Sequence, residues 1–218
     1  MKLIIFGATG FSGSHFLKQA LLNQKIEKVL CLTRRELQVK NDKLINIVHN
    51  DFTKYDNDMI EKMVTDYDGC LWAIGGKHLD FKTLEEHFKV SHTMVYEFVK
   101  MIEPVIQKQS KVFSFLYLSG KYADQSESAY YYLLGPTRNV KGKTEKELTQ
   151  VQQRLPNLFT LSILRPAGIV ESKWLPKILP SQAVHVDTLA NVALDLISSN
   201  NLYTTKIYEQ NDIINYFK

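Results

Sequence analysis

The stretch Lys2-Leu-Ile-Ile-Phe-Gly-Ala-Thr-Gly-Phe-Ser-Gly13 decides the fold of this chain. Its apolar residues predict a buried parallel strand, and three glycines then turn that strand into a helix. Gly7 permits a tight turn, Gly10 lets the backbone approach a pyrophosphate, and Gly13 allows close packing of helix and strand. Because the positive end of the helix dipole faces the phosphates, the segment predicts dinucleotide binding. A glycine-rich turn without a ligand is the alternative.

Composition narrows the class of protein. A chain of 218 residues, 44% hydrophobic and 23% charged with a net charge of +4, is typical of one globular domain. Its lysines alternate with acids, which argues against a nucleic-acid partner, and no apolar run is long enough for a membrane span. The first strand begins at residue 2, so we expect no targeting segment. Cys31 and Cys70 lie in apolar strands and predict buried free thiols in a reducing, cytoplasmic location. The histidine spacing predicts no metal site.

Strand and helix patterns alternate along the chain, which predicts an α/β fold with a doubly wound parallel sheet, the Rossmann fold. We expect one domain over residues 1–218, with a short C-terminal lid at 167–186. Asp187 is predicted to cap one late helix, and Asn211 or Asp212 the last one. After the first strand and helix, the predicted strands are 28–33, 44–48, 69–74, 112–118, 158–164 and 204–208, and the main helices are 59–65, 84–106, 139–153 and 187–198.

The residues after the second strand predict which dinucleotide binds. An acidic residue there usually selects NAD, whereas this chain has Thr33-Arg34-Arg35. Because a guanidinium pairs well with a 2′-phosphate, we expect NADP(H), with an exposed basic turn as the alternative. Asp51 and Phe52 are candidates for the adenine edge and face, or simply a helix cap and a core residue. Further predicted cofactor contacts are Thr9, Phe11, Ser12, Ala73, Ile74, Gly75, Lys141 and Pro166.

Several segments in order resemble the atypical short-chain dehydrogenase/reductase family, with the greatest similarity to Tat-interacting oxidoreductase-like proteins and their fungal relatives, and less to NmrA-like proteins. The resemblance implies an NAD(P)-binding oxidoreductase acting on a small carbonyl compound, and it covers the chain to about residue 170. The matching segments are the glycine turn, Thr33-Arg34-Arg35-Glu36, Asp51-Phe52, Tyr117-Leu-Ser119-Gly-Lys, Val140-Lys141-Gly142-Lys-Thr-Glu145 and Leu164-Arg165-Pro166-Ala-Gly168.

The resemblance also implies catalytic roles. In the family a serine after the fifth strand orients the substrate carbonyl, and a Tyr-x-x-x-Lys pair donates the proton and holds the nicotinamide ribose. Ser119 and Lys141 occupy the matching positions, but Thr137 stands where the tyrosine is expected. A threonine hydroxyl is too weak an acid for proton donation, although it can hydrogen-bond a carbonyl or a water. Tyr122 or one of tyrosines 130–132 is an alternative source of a phenol. A surface lysine and a loop serine remain alternatives for Lys141 and Ser119.

Two functions of different class therefore follow from the sequence. The first is an NADPH-dependent reductase of a small-molecule carbonyl substrate. The second is a non-catalytic NADP(H)-dependent redox sensor or assembly protein that binds a protein partner. The missing tyrosine and the short lid favour sensing, whereas the retained Lys141 favours catalysis. By resemblance, the predicted helices 84–106 and 139–153 are the pair through which a homodimer would form.

Overall fold

The computed structural model describes residues 1–128, 134–199 and 205–218. Within these residues, strands β1–β6 and β9 form a parallel sheet in the order β3-β2-β1-β4-β5-β6-β9. The strands are β1 Lys2–Phe6, β2 Lys28–Thr33, β3 Leu44–Val48, β4 Gly69–Trp72, β5 Phe113–Leu118, β6 Phe159–Arg165, β7 Gly168–Val170, β8 Ala183–His185 and β9 Lys206–Glu209. The predicted doubly wound Rossmann sheet is confirmed.

Helices cover both faces of the sheet, so the inner strands are apolar on both sides. One core lies between the sheet and α2, α4 and α5, and the other between the sheet and α1, α7 and α8. The helices are α1 Phe11–Leu22, α2 Asn57–Asp66, α3 Leu84–Phe88, α4 Met94–Gln109, α5 Gly135–Arg154, α6 Leu175–Ile178, α7 Val186–Ser198 and α8 Gln210–Ile214. This layering leaves the carboxyl edge of the sheet free to carry a site.

The boundaries of two long helices differ from the predicted ones. The helix predicted at 84–106 is divided by the π-helical segment Lys89–Thr93, and α4 contains Pro104. Helix α5 begins earlier than predicted, with Pro136 in its first turn, where a missing N–H costs nothing. The other predicted strands and helices begin and end within a few residues of the observed bounds. Residue 204, where the last predicted strand begins, lies outside the described residues.

The predicted caps of the last two helices are wrong. The side chain of His185, rather than that of Asp187, caps α7 by accepting a hydrogen bond from the backbone N–H of Asp187. Glu209, rather than Asn211 or Asp212, caps α8, and Asp212 completes a capping box with it. In both cases the preceding strand runs directly into the helix, so the cap lies two or three residues earlier than predicted.

The predicted lid, residues 167–186, holds a small two-stranded parallel sheet of β7 and β8 with α6 between them. Several apolar side chains of this segment are exposed, among them Trp174 and Ile178. The two cysteines are buried and free, on strands β2 and β4 that are separated by β1. Burial raises the pKa of Cys31 to about 12 and also raises that of Cys70, so neither is a reactive thiolate.

Candidate functional site

The glycine turn has the geometry that a phosphate cradle requires. Gly7 has a φ of +84°, and a Cβ at Gly13 would lie 1.9 Å from the carbonyl oxygen of Gly7. Gly10 is the N-cap of α1 and supplies no side chain to the free N–H groups of the first turn, which also contains no acid. These N–H groups can therefore hold the pyrophosphate of a dinucleotide.

A cavity of about 720 Å³ opens beside this turn, at the carboxyl edge of the sheet. Strands β1 and β4 are parallel neighbours, and successive strands are added to one side of the sheet before them and to the other side after them. Open α/β sheets bind ligands at such a switch point. The predicted site residues that line the cavity are Gly10, Phe11, Ser12, Ala73, Ile74, Gly75, Ser119, Thr137, Lys141 and Pro166. The rest of the wall consists of residues that were not predicted as site residues, among them Lys77 and Asp80.

The other predicted cofactor residues lie outside the cavity lining. Gly7 and Gly13 shape the turn from beneath, and Thr9 is exposed on it. Arg34 and Arg35 are exposed directly after β2, next to β1 in the sheet, and the Thr33 hydroxyl donates to the carbonyl oxygen of Arg35 (2.7 Å). Both arginines therefore follow β2 at the same edge of the sheet as the glycine turn that follows β1.

Phe52 follows the plainer of its two interpretations, a core residue, whereas the predicted helix cap at Asp51 is wrong. Phe52 is 3% exposed and packs edge-on against Phe6 in the core, so its face is not open to an adenine. Asp51 is exposed and accepts hydrogen bonds from the backbone and hydroxyl of Thr53, which lower the pKa of its carboxyl. The cap of α2 is Asp56 rather than Asp51.

Lys141 lies in the cavity wall, and its side chain is hydrogen-bonded to the backbone just after β5. Its Nζ donates to the carbonyl oxygen of Ser119 at 2.6 Å. Burial lowers the pKa of Lys141 to about 8, and the negative charge of Glu145 opposes this shift. Lys141 therefore contacts the loop residue that follows β5, and it is not a surface lysine.

The Ser119 hydroxyl has a buried partner that the sequence analysis did not assign. It donates to Glu145 at 2.5 Å, and Glu145 is fully buried. Two nitrogens of Arg165 donate to the same carboxylate at 3.0 and 2.5 Å, and these bonds raise the pKa of Arg165. Because its hydrogen is used by Glu145, Ser119 does not offer that hydrogen to a substrate carbonyl in this structure.

Thr137 also has a partner that sequence reasoning missed. Its Oγ1 accepts a hydrogen bond from the backbone N–H of His78 (2.8 Å) and lies 3.0 Å from Nδ1 of the same residue. Fifty-nine residues separate the two, so no local sequence signal links them. Tyr122 lines the cavity, whereas tyrosines 130–132 lie outside the described residues.

Other sites are few. No three His, Cys, Asp or Glu side chains among residues 1–128, 134–199 and 205–218 are grouped so that they could hold a metal ion. A groove of about 50 Å³ between α4 and α5 contains none of the predicted site residues. Of the helices described, none is long and apolar enough to cross a bilayer.

The fold and the cavity together define a dinucleotide-binding Rossmann protein. The model of the NAD dependent epimerase/dehydratase family matches residues 3–141, and the chain belongs to this family. The chain is also similar to Protein FMP52, mitochondrial, of Kluyveromyces lactis, with 27% identity over 172 residues that cover 78% of this chain and 68% of the relative. The expected resemblance to the short-chain dehydrogenase/reductase proteins is confirmed.

Solved structures share the fold at low identity. A short-chain dehydrogenase from Leptospira borgpetersenii with bound NAD+ has a TM-score of 0.73 and 13% identity, over 96% of this chain and 91% of that one. A short-chain dehydrogenase from Burkholderia cenocepacia in complex with NADP has a TM-score of 0.69 and 12% identity, over 98% and 91%. A nicotinamide dinucleotide is the cofactor that this fold and family indicate.

Proposed function

We propose that this protein binds NADP(H) and reduces a small carbonyl compound. The observation that carries the proposal is the cavity itself, which joins the glycine turn at Gly10 to Thr137 and Lys141. One solved relative binds NAD+ and another NADP, so the class of cofactor does not depend on the arginines alone. When bound, NADPH supplies the hydride.

The residues around the cavity fit the parts of this cofactor. The N–H groups after Gly10 would hold the pyrophosphate, and Arg34 with Arg35 the 2′-phosphate. Ala73, Ile74, Gly75 and Pro166 would surround the nicotinamide half. Below pH 8 the ammonium of Lys141 would donate to the ribose hydroxyls.

Thr137 would orient the substrate in place of a tyrosine. When the ring hydrogen of His78 is on Nδ1, the Oγ1 atom of Thr137 accepts two hydrogen bonds from His78. The hydroxyl hydrogen of Thr137 can then point into the cavity. That hydrogen would polarise a carbonyl oxygen. Ser119 would act indirectly, since its carbonyl holds Lys141 and its hydroxyl holds Glu145.

A non-catalytic NADP(H)-dependent sensor or assembly protein is the second candidate. Two features favour it: a threonine stands where the resemblance implies the proton donor, and the Ser119 hydroxyl is already bonded to a buried carboxylate. Residues 167–186 would then serve as a lid with exposed apolar side chains. Binding of the nucleotide would change either the position of these side chains or the protein partner that they contact.

We also propose a reducing cellular location and a homodimeric assembly for this protein. Two buried free cysteines support a reducing location such as the cytoplasm, while the Kluyveromyces relative is described as mitochondrial. The groove between α4 and α5 is where a homodimer would pack. Cell fractionation and sedimentation of the purified protein test these two points.

A fluorescence titration of the purified protein with NADPH and NADH tests the function. Binding of NADPH followed by its oxidation with a carbonyl compound, lost in Lys141→Ala, supports the reductase. NADPH binding with no oxidation across a carbonyl panel, and a partner whose binding depends on the nucleotide, supports the sensor. No binding of either nucleotide overturns both.

A further inference from the structure

The part of the cavity wall contributed by the loop after β5 and by α5 carries positive charge. Lys121 and Arg138 line the cavity there, and Lys77 joins them from the loop after β4. Within the described residues, the ion pairs of 4.0 Å or less involve other cations. The acid in the same wall, Asp80, accepts a hydrogen bond from the backbone N–H of Lys77. The cavity therefore has an excess of positive charge.

Lys121 and Arg138 converge on one aromatic ring. Lys121 Nζ lies 4.8 Å, and Arg138 Cζ 5.7 Å, from the ring centroid of Tyr122. Tyr122 is 61% exposed and has a φ of +65°, an uncommon backbone conformation for an aromatic residue. The chain thus places two like charges near one ring at the cavity wall, and an anion bound beside that ring would reduce their mutual repulsion.

Neutral acceptors hold both cations in place. Lys121 Nζ donates to the carbonyl oxygen of Ser181 at 2.8 Å, and Arg138 Nε donates to that of Tyr122 at 2.8 Å. A backbone carbonyl fixes the position of a cation but leaves its full charge in place. The guanidinium also has further N–H donors that match the oxygens of a carboxylate or phosphate.

These cations stand apart from the expected phosphate cradle. Gly10 follows β1, whereas Lys121 and Tyr122 follow β5, and β4 lies between these strands. Two strand spacings correspond to about 10 Å. Lys121 and Arg138 are therefore on the side of Thr137 and Lys141, where a substrate would sit, and the pyrophosphate does not need them.

We propose that the substrate is a small carbonyl compound that also carries an anionic group, held by Lys121 and Arg138 beside Tyr122. This inference rests on the proposed nucleotide-dependent function, and it names the substrate class for the same cavity. A carboxylate and a phosphate share the required chemistry, since both present paired oxygens to a guanidinium.

Calorimetric titration of the protein saturated with NADP+ tests the inference. Pyruvate supplies a carboxylate, dihydroxyacetone phosphate a phosphate, and hydroxyacetone is the neutral control. We expect one or both anions to bind at least about tenfold more tightly than hydroxyacetone, as one charge-assisted bond implies. Lys121→Gln with Arg138→Gln should abolish the preference, and Lys146→Gln, exposed on α5 and outside the cavity wall, should keep it.

The nucleotide titration separates the ways in which the inference can fail. Absence of nucleotide binding would overturn the proposed function itself. Normal nucleotide binding with equal affinity for all three probes, or a preference that survives the double variant, would overturn the anionic substrate alone. A tenfold loss of NADP+ affinity in the double variant would also overturn it, because the two cations would then serve the cofactor. Circular dichroism of each variant confirms that it is folded.

Discussion

Thr137 and His78 are joined twice, since the threonine Oγ1 lies 2.8 Å from the histidine backbone nitrogen and 3.0 Å from Nδ1. Helix α5 and the loop after β4 thus meet at the position where the resemblance implies a tyrosine. Thr137 is 7% exposed and borders the cavity on one side, whereas His78 fills the space beside its hydroxyl. A phenol placed at that hydroxyl would have to displace His78.

Thr137→Tyr is therefore expected to destabilise the fold, by about 1–3 kcal/mol of unfolding free energy, because the ring would displace His78. His78→Gly should make room, so the double variant should lose less stability than the two single losses combined. Urea unfolding of the four proteins measures the coupling, and strict additivity would show that the ring finds space elsewhere.

Lys141 should make nucleotide affinity depend on pH. Its pKa, lowered to about 8 by burial, keeps the ammonium below pH 8 and removes it above. Because the ammonium would bind the ribose, NADPH affinity should fall between pH 7 and 9. The affinity of Lys141→Met should be lower at pH 7 and nearly flat over that range. A wild-type profile as flat as that of the variant would exclude Lys141 from the nucleotide site.

The burial of Lys141 should also make the stability of the folded protein depend on pH. Between pH 8 and about 10.5 the unfolded chain retains the proton that the folded chain has released, so the cost of burying Lys141 decreases as pH rises. Lys141→Met removes that cost. The difference in Tm, variant minus wild type, should therefore be greatest below pH 8 and shrink toward pH 10. Thermal scans at pH 7, 8, 9 and 10 measure it, and a constant difference would contradict a buried ammonium.

Gly10→Asp should separate binding from folding. Gly10 is the N-cap of α1 with an extended backbone, where aspartate is a favoured residue, and an added Cβ would meet only the Gly7 carbonyl oxygen at 3.3 Å. We expect an unchanged Tm and at least a hundredfold loss of NADPH affinity, because the carboxylate would occupy the phosphate cradle. Gly10→Asn matches its size without the charge and should retain more affinity. Full NADPH binding by the aspartate variant would show that the phosphates lie elsewhere.

Arg34 and Arg35 should set the preference for NADPH over NADH. Charge-assisted hydrogen bonds contribute about 1.5–3 kcal/mol each, which corresponds to roughly a ten- to hundredfold preference. Arg34→Ala with Arg35→Ala should lower NADPH affinity by that factor and leave NADH affinity unchanged. Lys40→Ala, an exposed cation farther along the same loop, is the control. Equal affinity of the wild type for both nucleotides would rule out a 2′-phosphate site at this turn.

Glu145 should contribute strongly to the free energy of unfolding, although it does not line the cavity. Removing a buried partner leaves Arg165 without its main carboxylate, so Glu145→Ala should cost about 3–5 kcal/mol. The pair Arg154–Glu103 has a bidentate geometry on the surface, and Glu103→Ala should cost less than about 1 kcal/mol. Urea unfolding compares the two. Similar losses would mean that the burial of Glu145 adds nothing to its ion pair.

The sequence by itself determined the Rossmann fold, the glycine turn, the strands of the sheet and part of the cavity wall. These features depend on local rules: apolar runs form strands, and glycines at fixed spacing permit the turn between β1 and α1. Because parallel strands end at one edge, residues that follow them are brought together without any further information.

Only the tertiary structure decided the partners of the site residues. The bonds from Ser119 to Glu145 and from Thr137 to His78 join positions 26 and 59 residues apart, and no periodicity encodes such pairs. The burial of Phe52 and the convergence of Lys121 and Arg138 on Tyr122 likewise depend on packing between elements. A side chain's chemistry is fixed by its type, but its hydrogen-bond partners and its exposure to water are fixed by whichever distant segment packs against it.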